Sequence, residues 1–301
     1  MSRPADTETF ETHRDLMFAV AYRMLGTVAD AEDAVQDAWL RWSSAPRHDV
    51  TDPRAYLAKV ITNTSLNRLR AVQARREAYI GPWLPEPLLT QINPELTERP
   101  ETAESVSLAM LVVLESLTPD ERAVFVLREV FGFSFAEIGA ALGHTEVSAR
   151  QIGHRARQHV HARRPRFEVD RGRQREVTER FLDAAAGGDI DRLIEVLAPE
   201  VVLISDGGGK AKAARREVTG APKVARLLHG LAHRPGRGID LVGVVPELVE
   251  INGGPGLLFA RDGTAIAAMT WETGDGVVTA VQIITNPDKL AAISSGRVLT
   301  I

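Results

Sequence analysis

The sequence predicts a multidomain protein with two all-helical domains followed by an α+β domain. Three observations support this fold class. Apolar residues recur at helical spacing as far as about residue 165, and short runs with strand character replace them after about residue 172. Five prolines between residues 80 and 104 exclude a long helix between the two helical parts. Helices that precede consecutive strands are typical of an α+β domain with an antiparallel sheet.

Composition limits the classes of function. The net charge of −4 gives no overall basic character, so any nucleic-acid surface must be local. The chain has no cysteine, which excludes disulfides, thiolate metal sites and a cysteine nucleophile. No apolar run approaches the ~20 residues that cross a bilayer, and the polar N-terminus lacks a signal-peptide core. We therefore expect a cytoplasmic protein with no membrane partner.

The first helical domain is predicted over residues 1–79, as a bundle of three helices. These helices are expected from Thr7 to Gly26, from Ala29 to Trp42 and from Asp52 to Arg76. Asp52 is a suitable N-cap, because the proline after it fits the first helical position. The second helix combines an apolar stripe with an acidic opposite face.

Residues 80–104 are predicted to form an acidic, proline-rich linker. Its excess of glutamate is expected to keep the segment in solvent. The motif WLPEP, from Trp83 to Pro87, is the part of this linker that we expect to be anchored.

The second helical domain, predicted over residues 105–168, contains a helix-turn-helix. Capping-box patterns begin at Thr118 and Ser134, Gly143 ends the first helix of the motif, and Thr145 is an N-cap for the second. In such motifs the second helix enters the DNA major groove.

Charge supports this interpretation. From Glu146 to Arg166 there are six arginines and one glutamate. The apolar residues of this helix can face the bundle, which leaves its arginine, glutamine and histidine residues outside. A solvated cationic helix would explain a charge run alone, but the caps, the glycine turn and the one-sided polar face favour DNA. The predicted base-reading residues are Arg150, Gln151, His154, Arg155 and Arg157.

The α+β domain is predicted over residues 172–292, followed by a tail at 293–301. Two helices are expected first, at Glu176 to Ala186 and Ile190 to Leu197. The predicted strands are Val201–Ser205, Ile239–Val245, Leu248–Ile251, Leu257–Ala260, Ala265–Trp271 and Val277–Thr285.

These motifs resemble a known family. The stretch SLTPDERAVFVLREVFGFSFAEIGAALGHTEVSARQIGHRARQHV resembles region four of the extracytoplasmic-function sigma factors. GTVADAEDAVQDAWLRW is similar to their region two, and DPRAYLAKVITNTSLNRLR to its continuation. Two matches in family order are more specific than a lone helix-turn-helix. WLPEP, DGGGK (206–210) and NPDKL (286–290) are similar to signatures of the group with a fused SnoaL-like domain, a cone-shaped α+β fold.

The resemblance implies partners and roles. RNA polymerase core would be bound through its β′ clamp helices and β flap, and promoter DNA at the −10 and −35 elements. The residues implied to bind polymerase are Asp30, Glu32, Asp33, Gln36 and Asp37. Those implied to engage the −10 element are Arg54, Asn63, Asn67 and Arg70. The five residues of the cationic helix would then read the −35 element.

The signatures of the fused domain imply a regulatory contact between domains. The residues concerned are Trp83, Pro85, Asp206, Gly207, Gly208, Gly209, Lys210, Asn286, Pro287, Asp288 and Lys289. The glycine run is not a phosphate loop, because the pattern G-x-x-x-x-G-K-[ST] is absent.

SnoaL-like domains have an apolar pocket, so a small apolar ligand is a further candidate partner, while no cofactor or metal is implied. Residues that could support catalysis, namely Asp206, His229, His233, Asp240 and Trp271, show no spacing that defines an acid–base pair. We therefore expect no enzyme activity. Two alternatives stay open: a ligand-responsive helix-turn-helix regulator, and a SnoaL-like enzyme with a DNA-binding module.

Two positions depart from the family pattern. Gly153 stands where a larger apolar residue is usual, at a cost of about 1 kcal/mol in helix propensity. His144 stands at a turn position that is usually aliphatic.

Overall fold

The structure is a computed structural model that describes residues 4–44, 50, 52–91, 107–163, 171–233, 240–241, 243–296 and 298–300. The chain divides into two compact units. The first unit comprises Met1–Ala78 and Leu111–Pro165, and the second comprises Tyr79–Met110 and Arg166–Ile301. The described part of the predicted linker therefore belongs to the second unit, and residues 92–104 lie outside the described ranges.

The first unit begins with four helices. They are α1 (Pro4–Thr12), α2 (Arg14–Leu25), α3 (Val28–Ser44) and α4 (Pro53–Glu77). The single helix expected from Thr7 to Gly26 is thus two helices, which break at His13. Gly26 ends α2 in the left-handed conformation, with φ of 77°. Asp52 caps α4 as predicted, because its carboxylate accepts a hydrogen bond from the Ala55 N–H at 3.1 Å.

The helix-turn-helix follows the predicted boundaries. Its part of the chain contains α5 (Leu108–Glu115), α6 (Pro119–Phe125, continued by a π-helical turn at Val126–Val130), α7 (Phe135–Leu142) and α8 (Glu146–Arg163). Both predicted capping boxes are formed, at Thr118 with Glu121 and at Ser134 with Glu137. Gly143 ends α7 with φ of 74°, and the Thr145 hydroxyl accepts a hydrogen bond from the Ser148 N–H.

The helix-turn-helix and the N-terminal helices share a core. Ala58 of α4 belongs to the same buried cluster as Val124, Leu127, Phe133, Ile138, Ala149 and Ile152. The two helical domains predicted from sequence therefore pack as one unit.

The second unit combines four helices with eight strands among the described residues. The helices are α9 (Arg171–Gly187), α10 (Ile190–Val196), α11 (Ala221–His233) and α12 (Pro287–Ser294). The strands are β1 (Leu89–Gln91), β2 (Leu197–Asp206), β3 (Val218–Thr219), β4 (Glu247–Ile251), β5 (Gly254–Arg261), β6 (Thr264–Gly274), β7 (Val277–Ile284) and β8 (Val298–Thr300).

The sheet has the order β3-β2-β7-β6-β5-β4-β1-β8. Most neighbours are antiparallel, but β2 runs parallel to β7 and β1 parallel to β8, so the antiparallel sheet expected from sequence is mixed. Three hairpins turn at Asn252-Gly253, Asp262-Gly263 and Asp275-Gly276, where both residues have positive φ. That geometry is the type I′ turn which Asn-Gly and Asp-Gly favour.

Several expectations for the second unit need correction. Of the predicted strand Ile239–Val245, the described residues 240, 241 and 243–245 form no strand. Helices α11 and α12 and the short strands β1, β3 and β8 were not predicted. The signal for α11 was present, because its buried residues Ala221, Val224, Ala225 and Leu228 follow helical spacing.

The core of the second unit lies between the helices and one face of the sheet. Phe181 of α9, Leu193 of α10 and Val224 of α11 are buried against Leu203 and Trp271 of the sheet in one cluster. This is the α+β architecture that the sequence predicted. Across the described ranges, no helix combines the length and the apolar character that crossing a membrane requires.

Candidate functional site

Helix α8 presents a polar face opposite a buried apolar one. Ala149, Ile152, Ala156 and Val160 are buried, which fixes the rotation of the helix. The predicted base-reading residues therefore point outward: Arg150, Gln151, His154 and Arg155 are exposed and Arg157 is partly buried. A cationic face of this kind can enter a major groove.

The arginines of α8 differ in their neighbours. Arg150 Nη2 lies 2.6 Å from Glu146 Oε1 on the same helix, and its side chain is largely exposed. Arg155 Nε lies 3.8 Å from Glu121 Oε1, and Arg157 Nε lies 3.8 Å from Glu129 Oε1. Arg155 and Arg157 are thus drawn towards acidic residues outside α8, whereas the described ion pair of Arg150 lies within the helix and its guanidinium also lies over the Phe135 ring of α7.

The capping carboxylates stabilise the starts of α6 and α7. Burial alone would raise the pKa of Glu121, but hydrogen bonds from the Thr118 backbone N–H and hydroxyl, with His159 and Arg155 nearby, lower it. Hydrogen bonds from the Ser134 hydroxyl and N–H lower the pKa of Glu137. Both carboxylates are therefore charged near neutral pH and hold the free N–H groups of the helix starts.

Contacts of the helix-turn-helix explain the two departures from the family pattern. A Cβ on Gly153 would lie 2.9 Å from Phe135 Cε1, so the Phe135 ring occupies the space that a larger residue would need. His144 Nε2 lies 3.5 Å from Asp120 Oδ2, so the usual aliphatic position carries a polar contact to α6.

The predicted polymerase-binding residues occupy α3, and most have local partners. Arg68 of α4 donates hydrogen bonds to Asp33 Oδ2 at 3.1 Å and to Asp37 Oδ2 at 2.6 Å. Glu32 pairs with Arg14 at 2.7 Å, and Asp30 accepts a hydrogen bond from the Thr27 hydroxyl. Gln36 is exposed. The role of Arg68 as a counterion was not predicted, because 31 residues separate it from Asp37.

The residues implied for the −10 element divide into two pairs. Arg54 donates a hydrogen bond to the Phe131 carbonyl at 3.0 Å, and its guanidinium lies 4.4 Å from the centre of the Phe133 ring. Asn63 donates to the Ala141 carbonyl at 3.0 Å. Asn67 and Arg70 are exposed. Two of the four residues therefore contact the helix-turn-helix in this conformation.

A cluster of buried charges lies in the same unit, and sequence analysis did not detect it. Arg122 donates to the Arg23 carbonyl at 2.8 Å and pairs with Glu115 at 2.7 Å, and Arg76 also pairs with Glu115. Burial lowers the pKa of Arg122 to about 9 and the pKa of Arg23 to about 10. The charged forms are thus held in this core at an energetic cost.

In the second unit, Asp206 and Lys289 form a buried ion pair of 2.6 Å at the end of β2. The Asp206 carboxylate also accepts hydrogen bonds from Tyr79 OH at 2.6 Å and from the Leu84 N–H at 2.8 Å. Lys289 donates to the Leu84 carbonyl, and its Nζ lies 4.1 Å from the centre of the Trp83 ring. We call these five residues the linker anchor.

The rest of the described linker is also attached to the second unit. Leu84, Pro85, Glu86 and Pro87 are buried, so the expectation of a solvated segment is wrong there, while the anchored WLPEP patch is observed. Leu88 and Asn252 exchange two hydrogen bonds of 2.9 Å, and strand β1 pairs with β4 and β8.

The three signatures of the fused domain meet at this anchor. A Cβ on Gly207 would lie 2.4 Å from the Ala211 carbonyl oxygen, and one on Gly208 would lie 2.3 Å from Asn286 Nδ2. The Asn286 side chain caps α12, in which Pro287 is the first residue. Lys210 and Asp288 form an exposed ion pair of 2.5 Å, and Gly209 has φ of 72° next to Ile80. The glycines therefore allow a close approach of backbone rather than binding of a phosphate.

An apolar cavity of about 460 Å³ lies between α9, α11 and the sheet. Its walls carry only apolar side chains among the described residues, including Phe181, Leu231, Leu257, Phe259 and Met269.

The residues considered for catalysis do not line this cavity in the described part of the chain. Trp271 donates to the Thr178 hydroxyl at 3.1 Å, His229 stacks on His233, and Asp240 pairs with Arg261. Each therefore has a structural contact, and Asp206 belongs to the linker anchor.

Comparison with known proteins identifies the family. Residues 9–76 match the model of sigma-70 region 2, and residues 107–160 match that of sigma-70 region 4. The chain is 41% identical over 292 residues to the ECF RNA polymerase sigma factor SigJ of Mycobacterium tuberculosis, covering 94% of this chain and 93% of that protein. The chain belongs to the extracytoplasmic-function (ECF) sigma factors.

Further similarities agree with this membership. A crystal structure of Mycobacterium tuberculosis SigJ is similar to this ECF sigma factor with a TM-score of 0.74 and 39% identity, over 95% of this chain and 98% of that one. The probable ECF RNA polymerase sigma factor SigI of the same species is 35% identical over 195 residues, 64% of this chain and 67% of that protein.

The match to region 2 excludes the alternative of an ordinary helix-turn-helix regulator, which needs no such region. As an ECF sigma factor, the chain acts with RNA polymerase core on promoter DNA. Membership of this family also supports the expectation that the chain is not an enzyme.

Proposed function

We propose that this ECF sigma factor reads the −35 element with α8 and the −10 element with α4, and that its second unit regulates both through the linker. The observation that carries the proposal is the one-sided face of α8, where Arg150, Gln151 and His154 are exposed above a buried apolar stripe. Arginine can make two hydrogen bonds to guanine, and glutamine two to adenine. Arg155 and Arg157 extend this contact from the flank of the helix.

Region 2 would bind the β′ clamp helices through the acidic face of α3. Exposed Asp33 and Gln36 and the partly exposed Asp37 support this assignment. Arg68 donates hydrogen bonds to both carboxylates in the isolated chain, so a cationic partner must compete with it. Region 4 would contact the β flap, as the family resemblance implies.

Reading of the −10 element requires a rearrangement. Arg54 and Asn63 contact backbone carbonyls of the helix-turn-helix, at Phe131 and Ala141. The Asn63 amide also donates to the Lys59 carbonyl, so both of its donors are engaged until region 4 leaves α4. The isolated chain would therefore be closed to the −10 element and would open on RNA polymerase.

Regulation by the second unit would act on the length of the tether between regions 2 and 4. While residues 79–91 stay attached to the second unit, the free part of the tether runs from Gln91 to Ser107. It spans at most about 55 Å when fully extended. If the linker anchor opened, the same tether would begin at Ala78 and reach about 100 Å. The second unit would thus set how far apart the two DNA-reading regions can lie.

The test is transcription in vitro with RNA polymerase core. Three forms are compared: the full chain, a truncation after Arg171, and the full chain with Asp206→Ala, which removes the acceptor at the centre of the anchor. We expect the last two forms to change promoter-directed transcription in the same direction. Glu200→Ala, at an exposed position of β2, is the matched control. Unchanged transcription in both altered forms would contradict regulation, and no initiation by any form would contradict the assignment of promoter elements.

The cavity supports a second proposal, binding of a small apolar ligand by the second unit. Its volume of about 460 Å³ and its apolar walls fit such a molecule. Filling it with Ala185→Phe should abolish the fluorescence gain of 1-anilinonaphthalene-8-sulfonate, whereas Ala291→Phe on the exposed side of α12 should not. Equal dye binding by the two variants would place the dye elsewhere and overturn this proposal.

A further inference from the structure

Val147 is a large apolar side chain that the first turn of α8 leaves in solvent. It is 67% exposed, whereas Ala149, Ile152 and Ala156 of the same helix are 6% exposed or less. Single exposed apolar residues are common, so exposure alone indicates nothing. The exposure of Val147 is informative because of where this residue lies on the helix.

Val147 continues the proposed base-reading face. Residues three and four apart are neighbours on a helix surface, and Arg150 and Gln151 follow Val147 by three and four positions. His154 follows one turn later. Helical side chains lean towards the N-terminus, so Val147 extends this face beyond the capped start of α8. In helix-turn-helix proteins the N-terminal residues of the second helix contact the base edges.

The chemistry of the major groove decides what an apolar residue there can recognise. Guanine, adenine and cytosine present donors and acceptors, and only thymine adds an apolar group, its C5-methyl. A valine side chain has no hydrogen-bonding group, so opposite cytosine it would leave the N4 amino group without a partner.

We propose that Val147 packs against the methyl group of one thymine in the −35 element and selects a T·A pair there. This inference rests on the proposed function of α8 in reading that element. It adds an apolar specificity contact to the polar ones and places it at the end of the reading face that precedes Arg150.

The test removes the methyl group from DNA and the side chain from the protein. Holoenzyme reconstituted from core and the full chain is bound to its selected promoter DNA, with each dT of the −35 element replaced in turn by dU. We expect one position at which dU weakens binding about fourfold, or ~0.8 kcal/mol, the value of one buried methylene. Val147→Ala should lose this difference, and Val147→Ile should keep it.

Control variants separate this inference from the proposed function. Leu40→Ala removes another exposed apolar side chain, on α3, and should leave the ratio of dT to dU binding unchanged. If Arg150→Ala and Gln151→Ala weaken binding but no dU position does, or if Val147→Ala keeps the difference, the thymine contact is wrong while −35 reading stands. A selected −35 element without T·A pairs overturns it equally. If Arg150→Ala and Gln151→Ala also have no effect, the proposed function of α8 fails.

Discussion

Single residues far apart in the chain hold the linker on the second unit. Asp206 is completely buried and Lys289 is 6% exposed, so each depends on the other to compensate its charge. A buried pair of this kind adds little net stability over apolar residues, but loss of one partner leaves the other charge unpaired. The pair therefore acts as a specific lock for residues 79–88 more than as a source of stability.

Asp206→Asn tests this lock with almost no change in shape. We expect the second unit to lose about 3–5 kcal/mol in free energy of unfolding, because the Lys289 ammonium would remain buried without a carboxylate. Urea unfolding measures this loss, and limited proteolysis should show new cleavage between residues 79 and 91. Asp288→Asn, in the exposed pair with Lys210, should cost less than about 1 kcal/mol. Equal effects of the two substitutions would show that the lock does not exist.

Residue roles differ in how far the sequence could predict them. The outward direction of Arg150 and Gln151 follows from helical periodicity, which is local. The partners of Asp37 and Asp206 do not, because Arg68 lies 31 residues away and Tyr79 lies 127 residues away. Periodicity cannot report such contacts, since they depend on how helices and strands pack. The WLPEP, DGGGK and NPDKL segments were identified by their similarity to family signatures. That similarity did not indicate that the three segments meet in the structure.

At the scale of elements, helices α7 and α8 show how packing compensates for a residue that is unfavourable within a helix. Gly153 weakens α8, but it admits the Phe135 ring, whose Cε1 would be 2.9 Å from any Cβ there. Phe135 in turn lies beneath the guanidinium of Arg128 at 4.9 Å and that of Arg150 at 5.9 Å. The glycine thus places an aromatic ring under one of the proposed base-reading arginines.

Gly153→Leu is expected to overpack this contact at a cost of about 1–3 kcal/mol. Combining it with Phe135→Ala should recover part of the loss, because the leucine would then occupy the vacated space. Urea unfolding of the full chain gives both values. Ala162→Leu, at an exposed position of α8, should stay within about 0.5 kcal/mol of the original protein. Additive effects of the two core substitutions would contradict this account.

Elements were predictable where their signal is contained in one segment. The capped helices α6 and α7 and the hairpins at Asn252 and Asp262 follow from residues next to each other. Strands β1 and β8 have three residues each and pair mainly with each other, so neither carries an independent pattern. The parallel β2–β7 pair, which makes the sheet mixed, was not predictable either, because it joins segments far apart in sequence.

At the scale of the whole molecule, the contact of α4 with the helix-turn-helix is the feature that the proposed function requires to open. Ala58 is buried with residues of α7 and α8, and Arg54 and Asn63 bond to the same domain. The same unit also buries the guanidinium groups of Arg23 on α2 and Arg122 on α6, where Arg122 donates to the Arg23 carbonyl, and burial of these charges costs free energy. We expect RNA polymerase core to be the partner that opens this contact.

A cross-link across this contact tests the requirement for opening. Because the natural chain has no cysteine, Lys59→Cys with Ala140→Cys creates a unique pair beside the small cavity that both residues line between α4 and α7. A bis-maleimide with a disulfide in its spacer should abolish promoter-directed transcription, and reductant should restore it. Each single cysteine variant, treated in the same way, should remain active. Full activity of the cross-linked protein would show that region 4 need not leave α4.

Strand β1 lies between β4 and β8, so the sheet of the second unit is completed by a segment that precedes region 4 in the chain. The fused domain is therefore not built from one continuous stretch of sequence. A gene fusion that joined only the residues after Arg171 to another sigma factor would lack β1, the strand that lies between β4 and β8. Transfer of the proposed control would require the recipient to receive residues 79–91 as well, at their own position between its two DNA-binding regions.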